Sequence, residues 1–279
     1  MKVLRQIFDF YLDASFHVAL AVYALVKVSG IRLQLADDDH LNKFLFFGSI
    51  VCYNFMKYGV EAEKYILVTN ARHRPIQWLS FIALGIAAYH AYFLNFEVYV
   101  GVAGLVVLTG FYAIPVVPET GNLRSLGGLK IFIVALVWAG ATVLLPVLAV
   151  EQDFNGNVWV QLLQHFLLVL ILLLPFEVRD LAYDSPEMGT LPQRFGVKNV
   201  KRLGLGALIV VVLTNFLIEP SLSLSHDMDR ITADAILVVI TGLLLLMTKR
   251  EQSKYFASFW VESVPIMWWV LLLVFEVDS

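Results

Sequence analysis

Long apolar stretches alternate with short polar ones along almost the whole chain. Four runs carry no charged residue over about a membrane's thickness: 75–96, 98–118, 131–150 and 154–176. A membrane helix needs ~20 mostly apolar residues, so each of these predicts a span by itself. Shorter runs complete the series: 14–26 extending past Lys27, 44–56 extending toward Val60, then 203–218, 235–248 and 265–275. Together they predict a bundle of nine transmembrane helices at about 14–31, 41–60, 76–95, 98–117, 131–150, 156–176, 203–218, 233–248 and 258–276. Pro75, Pro118, Pro175 and Pro192 sit at loop boundaries, where they fit helix termination. No long linker or low-complexity segment divides the spans. Residues 1–279 therefore read as one all-α membrane domain. No short apolar stretch with a small-residue cleavage site opens the sequence, so no secretory signal peptide is expected.

Composition fits this class and excludes others. Of the 279 residues, 59% are hydrophobic and 15% charged, against ~25% charged in soluble domains. A net charge of −3 with no basic block excludes a nucleic-acid module. The lone Cys52 cannot form an intrachain disulfide. With nine spans, sixteen Lys and Arg residues fall on the side of the N-terminus and three (Arg32, Lys43, Arg230) on the other. That asymmetry predicts a cytoplasmic N-terminus. The opposite loops are acidic, as at Asp37, Asp38 and Asp39. An integral, multi-pass protein follows, in the inner membrane if the source is bacterial, with its larger loops (about 60–75, 118–130 and 177–202) cytoplasmic.

Two polar clusters stand at the cytoplasmic span ends. In the segment 175–196, Asp180 and Asp184 are four apart and share a face if the sixth span continues as a helix. Two like charges at that spacing favour a bound cation, and Mg²⁺ suits them because it completes its shell with water and phosphate oxygens. Arg179, Arg194 and Lys198 lie close enough in sequence to hold a phosphate. At the end of the second span, Asn54, Tyr58 and Glu61 fall on one helical face with Lys57 beside it. Asn54 in an apolar run also fits an interhelical hydrogen bond.

These features resemble the UbiA superfamily of intramembrane prenyltransferases. Arg179-Asp180, then Asp184, then Gly189-Thr190-Leu191-Pro192 with Gly196 closing, resembles the second Asp-rich motif of that family. Arg74-Pro75 resembles the Arg-Pro after its first motif, and Tyr112, Arg124 and Lys130 lie where the family has a Tyr/Lys element. The resemblance implies a prenyl diphosphate substrate, an unidentified acceptor, and Mg²⁺-assisted departure of diphosphate. It implies metal at Asp180 and Asp184, which would be the catalytic pair, with Asn54 and Glu61 opposite. Lys57, Arg74, Tyr112, Lys130 and Arg179 would bind diphosphate. The first motif departs from the family's Asn-Asp-x-x-Asp-x-x-x-Asp: only Asn54 remains, and Phe55, Tyr58 and Ala62 replace the aspartates. Lys57 then suggests an ammonium acting in place of one metal ion. Two alternatives stay open: an intramembrane terpene cyclase, and a non-catalytic isoprenoid-binding homologue.

Other polar residues predict less. His40 with its three neighbouring aspartates reads as a solvated loop, and His90 and His165 as hydrogen-bonded core histidines. Trp138, Trp268 and Trp269 lie deep enough to pack helices or to line a prenyl tunnel. Lys27 snorkels or pairs within the bundle.

Overall fold

The computed structural model describes residues 2–58, 73–113, 128–185, 188–217 and 224–277. The regular structure among them is helical. Ten helices follow one another: α1 (Lys2–Asp13), α2 (Phe16–Leu33), α3 (Asp39–Tyr58), α4 (Arg74–Ala91) and α5 (Phe96–Ala113) form the first half. Then come α6 (Lys130–Ala149), α7 (Gly156–Asp180), α8 (Leu191–Thr214), α9 (Leu224–Met247) and α10 (Phe256–Phe275). Among the described residues, each of the nine apolar segments read from the sequence overlaps one of α2–α10. Six of these helices, α2 and α6–α10, are long and apolar enough to cross a membrane, and α5 adds the shorter stretch Phe96–Gly110. Large apolar side chains such as Val106, Leu213 and Leu243 point outward, as a lipid-facing surface requires and a water-facing one does not.

The core forms where Leu25 of α2, Leu168 and Leu172 of α7, Leu237 of α9 and Trp268 of α10 meet. Two helices contain a π turn, Gly140–Leu144 in α6 and Phe256–Val261 at the start of α10. Such turns rotate the side chains that follow relative to a regular helix. The first turn of α8 is anchored by Gln193 Oε1, which accepts from Thr190 N–H at 3.0 Å. Gly189 and Gly196 both take positive φ, 60° and 76°, so the glycines of the 189–196 motif serve backbone geometry that a Cβ would strain.

Three expectations change. The apolar pattern leaves residues 2–13 out of the bundle, yet they form α1, an amphipathic helix too polar to register as a span. Pro175 does not end the sixth span; it sits inside α7, which continues to Asp180. A proline removes one backbone donor without stopping a helix whose next turn is held by packing; Gln252 Nε2 donates to the Pro175 carbonyl at 3.0 Å. Arg32, which the charge pattern places with the outer loops, is buried in the end of the bundle opposite α1. There its guanidinium meets Asp234 Oδ2 at 2.6 Å and Gln161 Oε1 at 2.8 Å. Length and hydropathy cannot show this, because partners for the charge come from α7 and α9, far along the chain.

Candidate active site

A cavity of about 560 Å³ opens at the end of the bundle where α2 begins, α3 ends, α6 begins, α7 ends and α10 begins. Its inner walls are apolar: Val134 and Trp138 of α6, and Val169, Leu172 and Leu173 of α7. Its outer part is charged. Lys57, Lys130 and Arg179 contribute cations there, and Glu177, Asp180 and Glu262 carboxylates. Helical register explains the assembly. Lys57 sits in the last turn of α3, Lys130 begins α6, and Glu177, Arg179 and Asp180 occupy the last turn of α7, so three helix ends converge.

The contacts among these groups are specific. Lys130 Nζ lies 3.2 Å from Glu177 Oε1. Arg179 grips its neighbour with both edges, Nε at 2.7 Å from Asp180 Oδ1 and Nη2 at 3.3 Å from Oδ2. The same guanidinium lies over the Phe176 ring, 5.0 Å from its centroid. Lys57 Nζ donates to the Leu12 carbonyl at 3.2 Å and to Ser15 Oγ at 3.0 Å, and it also interacts electrostatically with Glu262. Deeper in, Trp138 Nε1 donates to Tyr53 OH at 2.6 Å, which fixes both rings on the cavity wall.

The sequence-predicted residues divide into four groups. Lys57, Lys130, Arg179 and Asp180 line the one cavity. Asp184 stands in the turn that follows α7, its N–H donating to the Asp180 carbonyl at 2.9 Å, and its carboxylate acts electrostatically on Glu177. Asn54 and Arg74 stand apart. The Asn54 amide is buried between helices, accepting from Ser15 Oγ at 2.8 Å and donating to Ser80 Oγ at 3.0 Å; this is the interhelical bond, and it ties α2 and α4 to α3. Arg74 is exposed at the first turn of α4, outside the cavity lining. Glu61 lies outside the described residues, and so does the side chain of Tyr112. His165 is a hydrogen-bonded core residue, between Thr142 Oγ1 at 2.8 Å and Gln161 Nε2 at 2.7 Å.

Sequence reasoning missed several lining groups. Glu177 stands three residues before Asp180, so its place on the same helical face was readable from spacing. Glu262 is a charge inside the last apolar segment, a position that by itself signals function. Asp9 and Asp13 belong to α1 and had no readable signal. Asp9 is held by Lys254 Nζ and by Tyr255 OH, each at 2.7 Å. Those two hydrogen bonds, that of Lys254 first, keep the Asp9 carboxyl below its ordinary range.

The fit to Mg²⁺ can be judged from the carboxylates themselves. Glu177 Oε2 and Asp184 Oδ2 are buried oxygens without a hydrogen-bond partner among the described residues. Buried acceptors left so are costly unless a cation or donor arrives. Among the described residues no three His, Cys, Asp or Glu side chains gather tightly enough to hold an ion alone. An ion that takes most of its shell from water and phosphate needs no such cage. The two orphaned carboxylate oxygens therefore fit Mg²⁺ as part of such a shell.

No protein-family model and no curated protein matches the sequence. The structure is similar to one described as that of digeranylgeranylglyceryl phosphate synthase in membranes, with a TM-score of 0.56 over 99% of this chain and 98% of that one. Sequence identity is 15%, so the likeness is one of fold. The chain shares that fold, and with its apolar helices it is an integral multi-pass membrane protein.

Proposed function

We propose that this protein is an intramembrane prenyltransferase, which transfers an isoprenyl group from a prenyl diphosphate to an acceptor. The observation that carries this reading is the cavity's division into a charged mouth and an apolar interior. Lys57, Lys130 and Arg179 surround the place where a diphosphate belongs. Val134, Val169, Leu172 and Leu173 offer an apolar bed for its tail. All nine segments α2–α10 then span the bilayer, with the N-terminus and the charged mouth cytoplasmic. This is the orientation that sixteen basic residues against three favour.

The chain's residues have distinct parts to play. The ammonium groups of Lys57 and Lys130 attract the diphosphate and offset the negative charge that grows on it as the allylic bond breaks. Arg179 is preorganised by its two-point contact with Asp180 and by Phe176, which fixes the plane it presents. Glu177, Asp180 and Asp184 would hold Mg²⁺, which when bound neutralises diphosphate charge. The apolar interior keeps water from the allylic cation before the acceptor reaches it. Lys57 supplies positive charge on the side where the aspartates of the first motif are missing.

The test is diphosphate release by the purified protein in lipid, with and without Mg²⁺ and with and without a membrane-lipid extract of its source as the acceptor pool, from geranyl, farnesyl and geranylgeranyl diphosphates. Asp180→Ala serves as the control. Release that depends on Mg²⁺ and falls in Asp180→Ala supports the reading. Binding of all three without release shifts the assignment to a non-catalytic isoprenoid-binding protein. A cyclic hydrocarbon formed with no acceptor shifts it to a terpene cyclase.

A further inference from the structure

Helix α1 has two apolar arcs, and the protein covers one of them. Phe8 packs on Tyr255 and Phe259, with ring centroids 5.4 and 5.0 Å apart, and Tyr11 OH meets His17 Nδ1 at 2.8 Å. The other arc is bare: Val3, Leu4, Ile7 and Phe10 are 67%, 76%, 62% and 38% exposed. At 100° per residue these four lie together on the outward side of the helix. The chain turns sharply between α1 and α2, at Ser15 with φ 64°. Lys57 and Tyr58, at the end of α3, donate to the carbonyls of Leu12 and Asp13. So α1 is fastened across the end of the bundle rather than trailing from it.

We infer that α1 lies in the membrane interface, with Val3, Leu4, Ile7 and Phe10 seated at the headgroup boundary of the cytoplasmic leaflet and Lys2 and Arg5 facing anionic headgroups. Three observations favour lipid as the occupant. The arc belongs to a helix at the end of a membrane bundle, which is where the interface lies. Lys2 and Arg5 are exposed on the polar side of the same helix, Arg5 Nε 4.0 Å from Asp9 Oδ2, and a basic polar side behind an apolar arc is the pairing that interfacial helices use. The sequence pattern assigns most of the basic residues to the same side, and that charge complements an anionic leaflet. The opposite side of α1 contributes Asp9, Leu12 and Asp13 to the cavity. One helix thus separates the leaflet from the charged mouth. The inference rests on the proposed membrane orientation and not on catalysis.

The experiment uses the full chain with Cys52→Ser, carrying Ile7→Cys or Gln6→Cys labelled with an environment-sensitive fluorophore. The protein is reconstituted in phosphatidylcholine vesicles with or without phosphatidylglycerol. The label at position 7 should be quenched several-fold more by lipid bearing a shallow acyl-chain nitroxide than by aqueous iodide. The label at position 6, on the polar arc, should show the reverse, and quenching at 7 should weaken without phosphatidylglycerol. Equal iodide access at 6 and 7 overturns the inference. So does shielding at 7 that appears only as protein density rises, which marks a second copy as the occupant. Equal lipid quenching in both vesicles overturns the role of Lys2 and Arg5. An impermeant thiol reagent at unlabelled Gln6→Cys reads the orientation separately, so failure of that reading is distinguishable.

Discussion

Among the described residues, the hydrogen-bond acceptors of the Lys57 ammonium, the Leu12 carbonyl and Ser15 Oγ, are both neutral. Glu262 and Asp13 act on its charge through space, without the direct contact that Lys130 makes with Glu177, so part of that charge is left for an anion in the cavity. A hydrogen bond to a charged group contributes about 1.5–3 kcal/mol, so Lys57→Met should lower kcat/KM for prenyl diphosphate by about ten- to a hundred-fold. Methionine keeps the stem's packing, and Lys57→Arg should restore part of the rate. Steady-state diphosphate release at fixed Mg²⁺ checks this; an unchanged rate removes Lys57 from the site. Gly189 offers a test of the backbone. Its φ is 60°, and Arg194 Nε stands only 2.9 Å from where an alanine Cβ would project. Gly189→Ala should cost about 1–2 kcal/mol of stability, from the left-handed conformation alone, read as a lowered midpoint in detergent melting.

Between elements, the tie from α1 to the start of α10 depends on pH. The Lys254 ammonium, then the Tyr255 hydroxyl, depress the Asp9 carboxyl, and the same contact raises the Lys254 ammonium. A carboxyl whose folded value is depressed stabilises the folded state above its unfolded value and loses that contribution as pH falls through the folded one. Hydrogen exchange in α1 should therefore quicken as pH drops below the ordinary carboxylate range, once corrected for intrinsic rates. Asp9→Asn should show fast exchange already at neutral pH. This contact also marks how far the sequence was legible. Apolar periodicity located α2–α10, because each buries or exposes enough hydrocarbon to leave a continuous run. It passed over α1, whose twelve residues mix charge and apolar groups. The motif pattern picked out Lys57, Lys130, Arg179 and Asp180, which share the cavity. It offered Asn54 both as a ligand and as an interhelical hydrogen bond; the structure shows that bond, with Ser15 and Ser80, whose places 39 and 26 residues away no local spacing reveals. It passed over Glu262 because no local spacing connects α10 to the ends of α3 and α7.

Across the whole molecule, the end of the bundle away from the cavity is held by a charge buried in it. The Arg32 side chain is 1% exposed and that of Asp234 9%. Gln164 Oε1 and Asn215 Oδ1 each accept from Arg32 Nη2 at 3.1 Å. Trp268 Nε1 donates to Asp234 Oδ1 at 2.8 Å, and the guanidinium stands 5.4 Å from the Trp268 ring centroid. One arginine therefore links α2, α7, α9, α10 and the turn after α8. Removing a single partner leaves the other charge buried and unpaired, which costs about 3–5 kcal/mol, whereas replacing both with apolar groups removes the desolvation cost as well as the attraction. Arg32→Met and Asp234→Leu should each lower the thermal midpoint sharply, and the double variant should recover part of the loss, the rest remaining because Gln161, Gln164, Asn215 and Trp268 lose hydrogen-bond partners. Because these residues lie outside the cavity lining, the double variant should retain prenyl diphosphate binding. Melting curves of the four proteins in one detergent form the double-mutant cycle. Additive losses would show that Arg32 and Asp234 act independently. Recovery of stability with loss of binding would show instead that the two ends of the bundle are coupled, making the network part of the site rather than its scaffold.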